Sequence, residues 1–127
     1  MSDSLQVQLR KGVLEMCVLA LLAKQDGYAY DIASRLAEAI GMGEGTIYPL
    51  MRRMQTDGLV KTYLEESSSG PPRKYYQLTK AGRDALTAQA NDWNTFTADV
   101  ARILASARSD DEQKKSKGWC DRITGNL

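Results

Sequence analysis

Residues 43–78 constrain the fold more than any other part of the chain, because a short amphipathic segment leads directly into a hairpin-like one. The apolar side chains of the first part recur at helical spacing and define an inward stripe: Ile47, Leu50, Met51 and Met54. This pattern predicts a helix from about Glu44 to Asp57, closed by Gly58. The remaining faces carry polar and basic residues, so we expect them to face solvent.

The segment after this helix has the composition of a β-hairpin. Residues 59–64 are rich in strand-favouring side chains, residues 65–72 form a Ser- and Gly-rich turn region with two prolines, and residues 73–78 form the return strand. Successive side chains of a strand point to opposite faces, so only one of Tyr75 and Tyr76 can pack on the core. A helix followed by a basic hairpin is the order of parts in a winged helix.

The rest of the chain is predicted to be largely helical. Residues 5–23 are apolar on more than one face and form the first predicted helix, with Gly27 as its predicted C-cap. Residues 28–40 form a second helix, and Gly41 and Gly43 permit a tight turn before the third. The predicted fold class is therefore mainly α with a small β-hairpin, arranged as a winged helix-turn-helix.

A long last helix, predicted for residues 80–107 with Thr79 as its N-cap, carries a regular apolar strip. The strip follows a 4-3-4-3-4 spacing and is widened by two further residues: Leu86, Ala90, Trp93, Thr97, Val100 and Leu104, with Phe96 and Ile103. Such a strip is typical of a coiled-coil seam, so we expect this helix to pair with a second copy of itself.

These patterns divide the chain into three regions. Residues 1–79 form the winged helix-turn-helix, residues 80–108 form a C-terminal dimerisation helix, and residues 109–127 form a charged and polar tail that we expect to be flexible. Trp119 and Cys120 lie in this tail, and the pattern does not explain them.

The composition argues against an enzyme and against a metal or cofactor site. The chain has no histidine, which removes the usual near-neutral general base and the commonest metal ligand. Cys17 lies in an apolar run, as a small core residue would. The longest apolar stretch, residues 13–23, contains Glu15 and is far shorter than the roughly 20 residues that cross a bilayer. We expect no membrane segment, no signal peptide and a cytoplasmic protein.

The net charge is only +1, so a nucleic-acid partner is indicated by local charge rather than by the total. We predict that the third helix and the hairpin contact double-stranded DNA through seven residues: Thr46, Tyr48, Arg52, Arg53, Lys61, Arg73 and Lys74. The alternative for the arginines is a solvated helix face, and for the hairpin cations it is the protection of an edge strand against aggregation.

Trp93 and Phe96 have two interpretations. They can be core residues of a dimer seam, or they can line a pocket between two subunits and stack on a flat aromatic effector. The sequence pattern alone leaves both open.

Two runs of residues resemble a known family. Gly45–Met54, which reads Gly-Thr-Ile-Tyr-Pro-Leu-Met-Arg-Arg-Met, and Arg73–Gly82, which reads Arg-Lys-Tyr-Tyr-Gln-Leu-Thr-Lys-Ala-Gly, are similar to the PadR family of bacterial transcriptional regulators. The resemblance covers roughly residues 9–104. It implies a homodimeric winged helix-turn-helix repressor that reads a palindromic operator.

The resemblance also implies which residues build the dimer. In the family the first and last helices exchange across the two-fold axis, which corresponds here to Leu9, Val13, Leu86, Trp93, Phe96, Val100 and Ile103. The single C-terminal helix resembles the short-tailed subgroup, in whose drug-sensing members a tryptophan at the position of Trp93 stacks on a flat ligand. The expected effector is therefore a small aromatic or phenolic compound. The rival function is a winged-helix module that binds other proteins without sequence-specific DNA binding.

Overall fold

The computed structural model of the protein describes residues 5–41 and 44–117. These residues form four helices and a small antiparallel sheet, so the predicted fold class is confirmed. The elements in chain order are α1 (Leu5–Lys24), β1 (Gly27–Tyr28), α2 (Ala29–Ile40), α3 (Glu44–Thr56), β2 (Val60–Ser67), β3 (Gly70–Leu78) and α4 (Lys80–Lys117). The chain divides into two units, Met1–Ala90 and Asn91–Leu127, and α4 contributes to both.

The sheet has the order β1-β3-β2, with the return strand of the hairpin in the centre. Gly27 pairs with Tyr76 and Tyr28 pairs with Tyr75, so β1 adds a short third strand to the predicted hairpin. The prediction that Gly27 caps α1 is therefore wrong, because this residue belongs to β1 and α1 ends at Lys24. Pairing between residues so distant in sequence leaves no local signal in the periodicity.

The hairpin is longer and its turn tighter than the composition predicted. Ser67 pairs with Gly70, so the strands continue to a short turn instead of ending at a loop of eight residues or so. The two prolines of the turn region, Pro71 and Pro72, lie in β3, opposite an irregularity of register between Glu65 and Ser67. Proline lacks the N–H that a regular ladder uses, and such an irregularity accommodates it.

The core lies between the first three helices and the inner face of the sheet. The predicted inward stripe of α3 is buried, with Ile47, Met51 and Met54 fully so, which confirms that prediction. The stripe packs with the buried side chains of the other elements: Leu14, Val18, Leu19, Leu22, Ile32, Ala33, Leu36, Val60, Tyr76 and Leu78. This core fixes which faces of α3 and of the hairpin remain open to solvent.

Glycines end the second and third helices as predicted. Gly41 has φ 71° and its N–H donates to the carbonyl oxygen of Ala37 at 3.0 Å, which closes α2. Gly58 has φ 79°, and Leu59 N–H donates to Met54 O at 3.0 Å, which closes α3. Both residues use the left-handed conformation that glycine adopts without a steric penalty. The predicted turn residue Gly43 lies outside the described residues.

The beginning of α4 is fastened to the turn between α3 and β2. The N–H of Gly82 donates to Oγ1 of Thr79 at 3.0 Å, which confirms Thr79 as the N-cap. The proton of the same hydroxyl is shared between two carbonyl oxygens, Gly58 O at 2.7 Å and Leu59 O at 2.9 Å. A Cβ atom on Gly82 would lie 2.2 Å from Leu59 O, so only glycine fits this close approach.

Helix α4 extends to Lys117, beyond the end predicted near residue 107. The added turns contain Glu112, Gln113 and Lys114, which have good helix propensity, and Gly118 follows them directly. High polarity suggested a flexible tail, but polarity does not oppose a helix whose residues favour that conformation. The tail residues 118–127, including Trp119 and Cys120, lie outside the described residues.

Candidate nucleic-acid interface

One exposed line of side chains on α3 runs beside the hairpin. Tyr48, Arg52 and Gln55 are spaced four and three residues apart, so they share one side of the helix, and all three are exposed. Gln55 Nε2 donates to Oγ1 of Thr62 in β2 at 3.4 Å. This contact shows that the line faces the hairpin, and we refer to Tyr48, Arg52 and Gln55 as the reading line. Sequence reasoning missed Gln55, although its helical spacing from Tyr48 and Arg52 could have identified it.

A second exposed line on α3 lies toward α1. It contains Thr46, Pro49 and Arg53, spaced three and four residues apart. Arg53 Nη2 donates to Oε1 of Glu15 in α1 at 3.3 Å. The two neighbouring arginines, both of which were predicted to contact DNA, therefore lie on different sides of the exposed surface.

The two faces of the hairpin divide its predicted cations. Tyr76 and Leu78 are buried, so the alternation of β3 places Lys74 on the same inner face, with Nζ 5.5 Å from the Tyr76 ring centroid. This face carries α3, as the contact between Gln55 and Thr62 shows. Lys74 is thus the hairpin cation that shares a face with the contact to α3.

The other two hairpin cations lie on the outer face. Arg73 alternates with Lys74, and its Cζ lies 4.6 Å from the centroid of the Tyr28 ring, which is a cation–π contact. Lys61 pairs with Gln77 and follows the buried Val60, so it also belongs to the outer face. The predicted basic surface of the hairpin is therefore split, with one cation on the side of α3 and two on the opposite side.

A row of three tyrosines crosses the outer face of the sheet. Tyr28, Tyr75 and Tyr63 come from the three strands, with ring centroids 5.6 Å apart for Tyr28 and Tyr75 and 5.7 Å for Tyr75 and Tyr63. Tyr76 is buried instead, which confirms that only one residue of the Tyr75–Tyr76 pair packs on the core. The row fixes β2 and β1 against the central strand and holds Arg73 at one end.

The hydroxyl group of Tyr63 anchors this row to the loop before β1. It donates to Oδ2 of Asp26 at 2.7 Å, and this hydrogen bond, together with desolvation and nearby negative charge, raises the pKa of Tyr63 to about 12. The bond requires the protonated phenol, because the phenolate would face the Asp26 carboxylate with a like charge. Nothing in the sequence indicated this pair, since a separation of 37 residues gives no local pattern.

We expect one tyrosine to titrate late in the native protein. For a phenol whose folded pKa is raised to about 12, the stabilising contribution is present below its unfolded pKa of about 10 and is lost as the pH rises from about 10 to about 12. In an ultraviolet titration of the six tyrosines, Tyr63→Phe should remove the latest step. If the step that Tyr63→Phe removes lies near pH 10 instead of near pH 12 while the protein remains folded, the Asp26 contact is contradicted.

The apolar strip of α4 is largely open to solvent in a single chain. Trp93, Phe96 and Ile103 are exposed to 38%, 58% and 69%, and Val100 is half-buried. In α1, Leu9 is also exposed and Val13 is half-buried. Leu86 of α4 is half-buried and packs on the core. Large apolar side chains exposed along one strip of a helix indicate a surface that a partner covers.

Among the described residues, no helix is long and apolar enough to cross a membrane. Those same residues contain no group of three or more Cys, Asp and Glu side chains placed to hold a metal ion.

Helix, turn, helix and hairpin, with an exposed line on the third helix beside the hairpin, define a winged helix-turn-helix, a class of DNA-binding regulators. The family model described as "Transcriptional regulator PadR-like family" matches residues 18–88, more than half of the chain. The chain belongs to this family of transcriptional regulators, whose members bind DNA.

Solved structures agree with this assignment. A PadR-like transcriptional regulator from Bacillus cereus is 36% identical, with a TM-score of 0.71, and the match covers 76% of this chain and 96% of that one. A PadR-like transcription factor from Bacteroides fragilis is 42% identical, with a TM-score of 0.64 and coverage of 80% and 99%. A PadR family regulator from Clostridium difficile is 33% identical, with a TM-score of 0.67 and coverage of 72% and 98%.

Proposed function

We propose that this chain is a homodimeric repressor that reads a palindromic operator with the reading line of α3 and releases it when an aromatic or phenolic effector binds. The observation that carries the proposal is the placement of Tyr48, Arg52 and Gln55 on one exposed side of α3, beside the hairpin. A helix presented in this way fits the major groove, where Arg pairs with guanine and Gln with adenine. As a regulator of genes, the protein acts in the cytoplasm.

The hairpin is proposed to contact phosphates mainly at its inner face. Lys74 lies on the face that carries α3, whereas the end of the hairpin is acidic, with Glu65 and Glu66 exposed. Carboxylates repel the DNA backbone, so the tip itself is a poor phosphate contact. Arg73 and Lys61 lie on the outer face, so their side chains are farther from the DNA backbone that Lys74 is proposed to contact.

The salt dependence of DNA binding should distinguish the two faces. We expect Lys74→Ala to reduce the slope of log K against log salt by about one, because one phosphate contact is lost, and to weaken binding to all sequences alike. Arg73→Ala should change the slope by less than half as much. Lys80→Ala, which removes an exposed cation at the beginning of α4, is the control for net charge. An unchanged slope in Lys74→Ala would contradict the assignment of the inner face.

Dimerisation is proposed to cover the exposed strip of α4. Trp93, Phe96, Val100 and Ile103 recur every three to four residues, so they lie on one side of the helix, where two copies can interdigitate. On the family resemblance, Leu9, Val13 and Leu86 join this interface. A two-fold dimer presents two reading lines, and this matches a palindrome whose half-sites are about one helical turn apart or a simple multiple.

The effector site is proposed between the two copies of α4. Trp93 is partly exposed and Phe96 more so, and flat rings of this kind stack on aromatic ligands. A ligand held between the helices changes the spacing of the two reading lines, so that both can no longer meet their half-sites. The subgroup with a single C-terminal helix is the proposed place of this chain within the family.

The test is a fluorescence polarisation titration with duplex DNA from upstream of the protein's own gene, at low and at moderate salt. The proposal predicts tighter binding to this DNA than to shuffled duplexes, and the difference should persist when salt is raised. Aromatic compounds should lower the affinity. Equal affinity for all duplexes would contradict the proposal and favour the rival function, in which the exposed strip of α4 binds another protein.

A further inference from the structure

The carboxylate of Glu15 in α1 accepts hydrogen bonds from side chains of two other helices, α3 and α4. Its Oε1 accepts a hydrogen bond from Arg53 Nη2 of α3 at 3.3 Å, and its Oε2 accepts one from Gln89 Nε2 of α4 at 2.7 Å. The Glu15 side chain is only 26% exposed, whereas that of Arg53 is 62% exposed. One carboxylate, held on a helix whose neighbouring residues Leu14 and Val18 are buried, therefore meets both the DNA-reading element and the first turns of α4.

The two contacts depend on each other because they share one side chain. Glu15 can keep both contacts only while Arg53 and Gln89 stay within the reach of its side chain, which its two methylene groups limit. A displacement of α4 that withdrew Gln89 would release one carboxylate oxygen of Glu15 and could reorient the oxygen that accepts from Arg53. Arg53 lies on the second exposed line of α3, next to the reading line, so its position matters for how the helix meets phosphates.

We propose that Glu15 is a positioning residue for DNA binding, which sets the place of the Arg53 guanidinium according to the position of α4. This inference rests on the proposed function and deepens it, because it gives the route by which a change in α4 reaches the reading helix. Trp93 comes four residues after Gln89 in α4, so the proposed effector and the Glu15 contact act on the same stretch of helix.

The direction in which Glu15→Gln changes the affinity for DNA distinguishes a positioning role of Glu15 from simple charge repulsion. Removing a negative charge near a DNA-binding surface strengthens DNA binding in general, because less repulsion opposes the phosphates. If Glu15 instead holds Arg53 in place, Glu15→Gln weakens binding in spite of the more favourable net charge. Glu38→Gln, at an exposed position of α2, makes the same change in net charge and is the matched control.

The first arm of the test needs no DNA. In the free protein, the NMR signal of the Arg53 Nε–Hε group, assigned with Arg53→Lys, should move in Glu15→Gln. The same signal should also move in Gln89→Ala, because the side chain of Gln89 contacts Glu15, and Glu15 contacts Arg53. Thr87→Ala, at an exposed position of the same helix, should leave the signal unchanged. An Arg53 signal that stays at its wild-type position in Gln89→Ala overturns the link between α4 and Arg53.

The second arm measures affinity for the upstream DNA in a double-mutant cycle. We expect Glu15→Gln to weaken binding by about three- to tenfold in the wild-type background and by less than about twofold in an Arg53→Ala background. An equal loss in both backgrounds overturns the proposal, since a merely structural role of Glu15 would act regardless of Arg53. If the wild-type protein shows no preference for the upstream DNA, the proposed function fails, and the NMR arm alone decides whether Glu15 links the helices.

Discussion

Val100→Asp should convert the proposed dimer into a monomer and remove tight binding to the proposed operator. Val100 lies in the middle of the exposed strip of α4, between Phe96 and Ile103, so its partner in a two-fold seam is the same strip of the second copy. Each dimer would bury two new carboxylates, and the cost of desolvating them should raise the dimer dissociation constant at least about a hundredfold. Sedimentation velocity at about 10 µM protein measures this directly.

The control for this substitution is Ala98→Asp, which introduces the same charge at an exposed position on the opposite side of α4. It should leave both the dimer and the affinity for DNA nearly unchanged. Val100 is half-buried and lies in the second unit of the chain, so a folded monomer is the expected product, and circular dichroism should show wild-type helicity. A stable dimer of Val100→Asp would show that this strip is not the interface.

Gly82→Ala should destabilise the protein strongly, although alanine is the better helix former. The new Cβ would lie 2.2 Å from the carbonyl oxygen of Leu59 and 2.6 Å from Cδ1 of Leu78. A side chain can rotate away, but the backbone of Leu59 is held by its hydrogen bonds to Thr79. We expect a loss of about 2–4 kcal/mol in the free energy of unfolding, since the clash outweighs the gain of about 1 kcal/mol in helix propensity.

Gly12→Ala is the matched control for this prediction. Gly12 lies within α1, and a Cβ atom there meets nothing within 4 Å, so only the propensity term remains. Thermal unfolding should show a higher midpoint for Gly12→Ala and a midpoint lower by about 10 °C or more for Gly82→Ala. If both variants gained stability, the close approach of α4 to Leu59 would be contradicted.

The fold was largely predictable because its signals are local. The stripe from Ile47 to Met54, the helix-ending glycines Gly41 and Gly58, and the N-cap Thr79 each follow from residues within a few positions of one another. These features need only helical periodicity and capping chemistry, and the structure confirms them.

The missed features depend on contacts between distant parts of the chain. The position of Gly27 after an apolar helix predicts a helix cap, and only its pairing with Tyr76 shows that it belongs to a strand. The length of the hairpin turn depends on the register of β2 and β3, which composition does not determine. At the candidate site, the sequence pattern predicted that both Arg52 and Arg53 contact DNA. The two arginines lie on different sides of α3. Arg52 belongs to the reading line, which lies beside the hairpin, whereas Arg53 donates a hydrogen bond to Glu15 of α1.

The division of the hairpin cations has the same origin. Alternation along β3 already requires that Arg73 and Lys74 lie on opposite faces. Which face carries α3 is decided by the contact between Gln55 and Thr62, and no pattern in the sequence states that contact. Sequence reasoning could therefore propose the basic residues of the site but not their arrangement.

The number of chains bound to each upstream duplex is the sharpest test of a two-fold dimer that reads a palindrome. Sedimentation equilibrium of a fluorescently labelled duplex, titrated with this protein at moderate salt, should give two chains on each duplex, bound without a populated one-chain species. The same duplex with one half of its palindrome scrambled should bind at least about tenfold more weakly, because one reading line has lost its half-site. One chain per duplex, or equal binding to the scrambled DNA, would contradict the account.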